Sequence, residues 1–234
     1  MDIKKIYSEL LDVHLSVNVL KERADELSIY PNSIHEKDGS ILFLTKGEDE
    51  KQLTILKKGP VYDAFEGDEV IKGGVKACPL NDANSKTLRE LFPYTAPVPH
   101  REHAITVGLG DRLGIASPGH IRLVKDYPVF PVLAQQSIRE LNLTDRTYED
   151  VLNAASWAVF QEGYTKGFGA DGDHLKTHDE VDMALNHGYT MITLDCSEHI
   201  DNDISSAGAD EIQTKYNALP EETRTRLEEK YLNK

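Results

Sequence analysis

Cysteine is nearly missing from this sequence: Cys78 and Cys196 are the only two. That is too few for a disulfide framework and fits a reducing compartment. Long hydrophobic runs are missing as well, and no window approaches the ~18 consecutive apolar residues of a membrane span. The opening stretch MDIKKIYSELLDVHLSV has neither the apolar core nor the small-residue cleavage site of a secretory signal. Positive charge is scarce, with 26 Lys and Arg against 40 Asp and Glu and a net charge of −14. This excludes broad nucleic-acid binding and attachment to anionic membrane surfaces. It leaves room for one local basic pocket that takes an anionic metabolite. No fixed-period repeat and no low-complexity tract occurs. The expectation is a cytoplasmic protein without nucleic-acid or membrane partners.

What is present is a globular balance, 39% hydrophobic and 28% charged over 234 residues, enough for one or two domains. Up to about residue 95 the pattern is mixed α+β. It comprises a helix over 3–27, two apolar runs at 40–45 and 52–57 joined by a polar turn, a bulged strand over 69–78, and a helix over 81–92 capped by Asn81 or Asp82. Pro93, Pro97 and Pro99 then mark a boundary, dividing the chain into an N-terminal region, 1–95, and a second domain, 96–234.

Beyond the prolines, strands are expected at 105–109, 129–134, 167–170 and 190–194. Between them lie helices beginning at Ser117-Pro118, at a Thr147 cap and at a Thr177 cap, the last closed by Gly188. Such β-α-β alternation with short connections implies an α/β fold with a parallel sheet and right-handed crossovers. The last ~35 residues read as helical and exposed.

Polar and titratable residues gather after each strand, the edge where parallel α/β folds bind ligands. Gly108-Leu109-Gly110-Asp111-Arg112-Leu113-Gly114 is one residue too long for a dinucleotide loop. There Arg112 offers a planar fork to a carboxylate, or else forms a salt bridge at the rim of a tight turn. Asp171-Gly172-Asp173-His174-Leu175-Lys176-Thr177 is the densest cluster, with two carboxylates, an imidazole and an amine in seven residues. It suits either a divalent cation beside a carboxylate base or an Asx-rich turn capping a helix. Asp195-Cys196-Ser197-Glu198-His199 ends the fourth strand, and Cys196 has no pattern of a nucleophile. His100 and His103 form H-x-x-H, which serves as a zinc pair on a helix and as a strand lead-in otherwise.

The words Thr95-Ala96-Pro97-Val98-Pro99-His100-Arg101-Glu102-His103, the stretch 107–119 and above all Phe168-Gly169-Ala170-Asp171-Gly172-Asp173-His174-Leu175-Lys176-Thr177 resemble the tagaturonate/fructuronate epimerase family. The resemblance implies half of a (β/α)₈ TIM barrel carrying a divalent metal at its C-terminal mouth. It implies an isomerase acting at C4 of a keto-hexuronate, with Asp173 as proton acceptor and His174 as metal ligand. Arg112, Gln135, Lys176 and Asp195, all at strand ends, are the expected substrate contacts. The family is about twice as long, so the chain is expected to be truncated after four βα units and inactive alone. A second chain or the missing C-terminal half would then complete the barrel. Two alternatives stay open: a non-catalytic sugar-acid-binding fragment, and another metal-dependent sugar isomerase or aldolase.

Overall fold

The computed structural model describes residues 16–47, 50–99 and 105–232. Two sheets organise it. The first is antiparallel, built from β1 (His35–Lys37), β2 (Ser40–Lys46), β3 (Lys51–Leu56), β4 (Asp68–Ile71) and β5 (Val75–Cys78) in the order β1-β2-β3-β5-β4. The second is parallel, with β6 (Thr106–Gly108), β7 (Phe130–Ser137), β8 (Gly169–Leu175) and β9 (Met191–Leu194) side by side in chain order. This curled four-stranded sheet is half of a TIM-like barrel, as the β-α-β alternation implied.

Helices α1 (Val17–Glu22), α2 (Pro60–Ala64) and α3 (Asp82–Leu91) accompany the antiparallel sheet. Helices α4 (Ser117–Val124), α5 (Ile138–Thr144), α6 (Tyr148–Glu162) and α7 (His178–Asn186) are threaded between the parallel strands. The apolar residues of α6 recur at helical spacing, so Val151, Leu152, Ala155, Ala158 and Val159 are buried against Leu133, Ala134, Phe168 and Ala170. Its other face, Trp157 and Phe160, belongs to the core under the antiparallel sheet with Leu42, Leu44, Leu53 and Phe92. One helix therefore serves both sheets. Polar ties accompany it: Trp157 Nε1 donates to Ser85 Oγ at 2.8 Å, Arg89 donates to Asn153 Oδ1 at 2.8 Å, and Asn153 Nδ2 donates to Asp82 at 2.7 Å. The proline segment separates the sheets along the chain, while both lie in one compact unit ending at Leu194.

A second unit, Asp195–Lys234, carries α8 (Ala209–Asn217) and α9 (Glu221–Tyr231) after two short 3₁₀ turns. Neither helix buries a residue. They are joined by the Tyr216 hydroxyl on Glu228, and Lys215 pairs with Asp201 at 2.6 Å.

Several boundaries differ from the expectations. Of the helix over 3–27, residues 3–15 lie outside the described residues, and the remainder is the short α1 followed by turns. The stretch 69–78 is a hairpin, β4 and β5, which reverses at Gly73-Gly74; Gly73 supplies the positive φ of 70° that the turn requires. Helix α5 was not expected. Its signal is the capping box Ser137-x-x-Glu140, both halves of which form. Strand β8 runs on through Asp171-Gly172-Asp173-His174-Leu175, because β7 and β9 pair with it on both sides.

Candidate active site

The C-terminal ends of β6, β7 and β8 bring most of the expected residues together. In β8, Asp171 and Asp173 stand two residues apart and share one face, opposite Gln135 and Ser137 of β7 in regular register. Ala170 and Leu175 point the other way into the helical layer. Gly172 faces that layer too, where a Cβ would come within 3.0 Å of Ala184.

After β6 the chain turns through Asp111, whose carboxylate is buried. It accepts from the backbone N–H groups of Ile115 (3.0 Å), Ala116 (2.8 Å) and Ser117 (2.7 Å), and from Ser117 Oγ (2.9 Å). Burial pushes this carboxyl upward, and the four donors together outweigh it, holding the group below the ordinary carboxylate range. Asp111 thus supplies the acceptor at the start of α4, whose own N-terminal residues form no side-chain cap. Arg146 fastens the same loop from the other side. Its guanidinium donates to the carbonyls of Asp111 (2.9 Å), Arg112 (3.1 Å) and Asp150 (3.1 Å), and to Gln136 Oε1 (3.2 Å).

Arg112, on this braced loop, is 69% exposed at its side chain and ion-paired with Glu140 of α5. The Glu140 side chain also caps the backbone of Ser137, so the same carboxylate orients Arg112 and closes the end of β7. Asp173 is half-buried. Burial raises its carboxyl above the ordinary range; the carboxylates of Asp171 and Glu140 add to this, while His174 and Arg112 oppose it. His174 follows with φ of 57°, in the left-handed region that a non-glycine residue seldom enters. Its ring is largely exposed, with Nε2 at 3.7 Å from Asp173 Oδ1. Lys176 is exposed, and its backbone N–H donates to Glu180 in the capping box of α7. Asp195 opens the second unit and accepts from the backbone N–H of Ser197 at 2.9 Å.

Two groups stand behind these residues: Asp171, which the sequence marked only as part of its cluster, and Tyr148, which it did not mark. Asp171 is 0% exposed and accepts through Oδ2 from Thr193 Oγ1 at 2.8 Å and Gln135 Nε2 at 3.2 Å. The Tyr148 hydroxyl is buried without a hydrogen-bond partner among the described residues, and its proton is held more tightly than usual by burial first and by Glu180, Asp173 and Asp171 beyond that. Composition around Asp171-Gly172-Asp173 marked the segment, but which carboxylate is sealed and which half-open depends on pairing across three strands.

The donors suited to a metal here are one imidazole, His174, and one neighbouring carboxylate, Asp173. Among the described residues no three His, Cys, Asp or Glu side chains converge. Two donors fall short of a divalent cation's shell, so the described residues alone do not fit one. His100 and His103 lie outside the described residues.

A profile of the tagaturonate epimerase family matches residues 30–234. The tagaturonate/fructuronate epimerase of Thermotoga maritima is 44% identical over 176 residues, which is 74% of this chain and 36% of that protein. A glycerol-bound crystal structure of the fructuronate-tagaturonate epimerase of Cohnella laeviribosi superposes with a TM-score of 0.80 at 48% identity, covering 93% of this chain and 44% of that one. The native crystal structure of the same enzyme gives 0.79 at 48% identity. The chain therefore spans less than half the length of these relatives. With a profile match across most of its residues and this identity to an epimerase, the chain belongs to the tagaturonate epimerase family.

Proposed function

We propose that this chain carries the proton-accepting half of an active site that interconverts tagaturonate and fructuronate by inverting C4. The observation that carries the reading is the Asp173-His174 pair, which in a member of this family stands at the C-terminal edge of a parallel sheet. That edge is where barrel enzymes do chemistry.

The two keto-hexuronates differ at C4 and hold their ketone at C2, so the ketone does not acidify the C4–H bond directly. A retro-aldol route resolves this. A base takes the C4 hydroxyl proton, C4 becomes an aldehyde, and the C3–C4 bonding pair passes to an enediolate over C2 and C3. Rotation presents the opposite aldehyde face, and re-addition restores the bond with C4 inverted. Asp173 suits the first step, because a carboxylate with raised pKa is a better base near neutral pH. Arg112 suits the substrate carboxylate once it exchanges its Glu140 partner, and Gln135 and Lys176 are candidate hydroxyl contacts.

The second acid–base group, and the donors that would join His174 around a divalent cation, come from outside the described residues. A companion segment or chain that pairs with β6 and β9 would bring them and would cover two open sheet edges. The setting we propose is the cytoplasm; among the described residues no helix is long and apolar enough to cross a membrane.

The test is NMR observation of D-fructuronate incubated with the chain, alone and together with a polypeptide supplying the C-terminal part of a relative. The chain alone is expected to give no tagaturonate and the mixture to give it. Turnover by the chain alone, free of contaminating epimerase, would overturn the missing-half reading. An inactive mixture in which both polypeptides are folded and associated would overturn the epimerase reading.

A further inference from the structure

A transverse polar row crosses the inner face of the parallel sheet just below its mouth. Gly108 of β6 leaves open the volume that the Gln135 amide occupies; a Cβ there would lie 2.4 Å from Gln135 Oε1. Gln135 of β7 donates to Asp171 of β8, and Thr193 of β9 donates to the same Asp171 oxygen. All four strands thus contribute to one row centred on a sealed carboxylate.

Only one oxygen of that carboxylate is used. Asp171 Oδ1 is buried and has no hydrogen-bond partner among the described residues. An unsatisfied buried acceptor is costly, and more so on a group able to ionise. A brace between β7 and β9 needs only the Oδ2 acceptor, which an asparagine carbonyl would supply without a second carboxylate oxygen. The unused oxygen therefore goes beyond what strand pairing requires.

Its position gives it a use. Asp171 shares a face with Asp173 two residues on, and strand geometry sets them roughly 7 Å apart along the chain. A six-carbon polyhydroxy acid lying along β8 can offer one hydroxyl to each. Of the two bonds on Oδ2, that from Gln135 is the longer, at 3.2 Å against 2.8 Å from Thr193. Gln135 is only half-buried, so it is the group able to swing aside.

We infer that Asp171 is a substrate-binding residue whose unshared oxygen accepts a hydrogen bond from a hydroxyl of the sugar acid. This rests on the proposed keto-hexuronate reading of the site. The test is calorimetric titration of the chain, completed with the same C-terminal polypeptide of a relative, with D-fructuronate and D-tagaturonate, comparing the wild type with Asp171→Asn and Asp171→Ala. A hydrogen bond to a charged acceptor corresponds to about 10- to 100-fold in affinity. Asp171→Asn should weaken binding by that factor and as much as Asp171→Ala does, while its thermal midpoint stays at the wild-type value.

As an independent arm, single-position deoxy analogues are titrated into the wild type, and one of them should lose the same factor. That arm needs no variant to fold. Wild-type affinity in Asp171→Asn, or equal affinity for all deoxy analogues, would overturn the inference and leave Oδ1 to a structural water. A wild type that binds neither hexuronate would overturn the substrate reading as well, so the two failures are told apart.

Discussion

Replacing Asp111 by alanine tests how the loop beneath the site is held. Four donors converge on this carboxylate, and the substitution strands all of them. Ile115 is exposed and Ala116 half-buried, so water can take over at their N–H groups. Ser117 is 2% exposed, and its N–H and hydroxyl have no such relief. At ~1–3 kcal/mol for each buried polar group left unsatisfied, Asp111→Ala should cost about 3 kcal/mol. For a chain of this size that lowers the thermal midpoint by roughly 6–12 °C.

The sign of the pH dependence follows from the same contacts. The folded-state pKa of Asp111 lies below its unfolded value. Its stabilisation is therefore fully present above an unfolded pKa of about 3.9 and is lost as pH falls through the folded pKa. Urea titrations of wild type and Asp111→Ala at pH 7 and at pH 3 measure both effects. The difference should be large at neutral pH and shrink in acid. A cost below about 0.5 kcal/mol at pH 7, the range of an ordinary surface substitution, would refute the capping role.

Three further outcomes are expected. His35 is packed among Phe92, Tyr94 and Phe160, and burial first and Lys21 second lower its pKa. Its contribution is thus present above an unfolded pKa of about 6.5 and lost on acidification, so His35→Gln should flatten the thermal midpoint between pH 7 and pH 5; an unchanged slope would contradict this. The Lys76 ammonium donates to the carbonyls of Tyr62 (2.7 Å) and Phe65 (2.9 Å) and lies 4.5 Å from the Tyr62 ring centroid. Lys76→Met should cost about 2–3 kcal/mol in urea unfolding, because two carbonyls lose a charged donor, and a neutral result would show them to be hydrated instead. Calorimetry with Mn²⁺ should show only weak binding to the chain, weakened further in His174→Ala, since an open shell holds metal poorly; tight stoichiometric binding would contradict the two-donor count.

The parts of the fold legible in the sequence are those set by local chemistry. Thr147 and Thr177 cap α6 and α7 as expected, each through a complete capping box, and Gly188 takes its positive φ of 86° just after α7. The four parallel strands follow from alternation. The strand character of Asp171-Gly172-Asp173-His174 was not legible, because its polar, glycine-rich composition reads as a turn. Only pairing with β7 and β9 makes it extended. Arg112 illustrates a different limit. Sequence left a ligand fork and a rim salt bridge open, and Glu140, twenty-eight residues away, decides the resting pairing. The sealed state of Asp171 likewise needs Gln135 and Thr193 from two other strands, which no spacing rule brings together.

One measurement decides whether Asp173 is the base of a hexuronate epimerase site. Initial rates of fructuronate–tagaturonate interconversion are compared by NMR for the wild type and Asp173→Asn, each completed with the same C-terminal polypeptide of a relative. Removing a general base typically lowers the rate ~10²–10⁴-fold. Asp173→Asn should fall by at least this much while its thermal midpoint holds, because Asp173 is half-buried at the strand end rather than in the core. A rate within a few-fold of the wild type would show that the proton is taken elsewhere and that the site has been placed on the wrong residue.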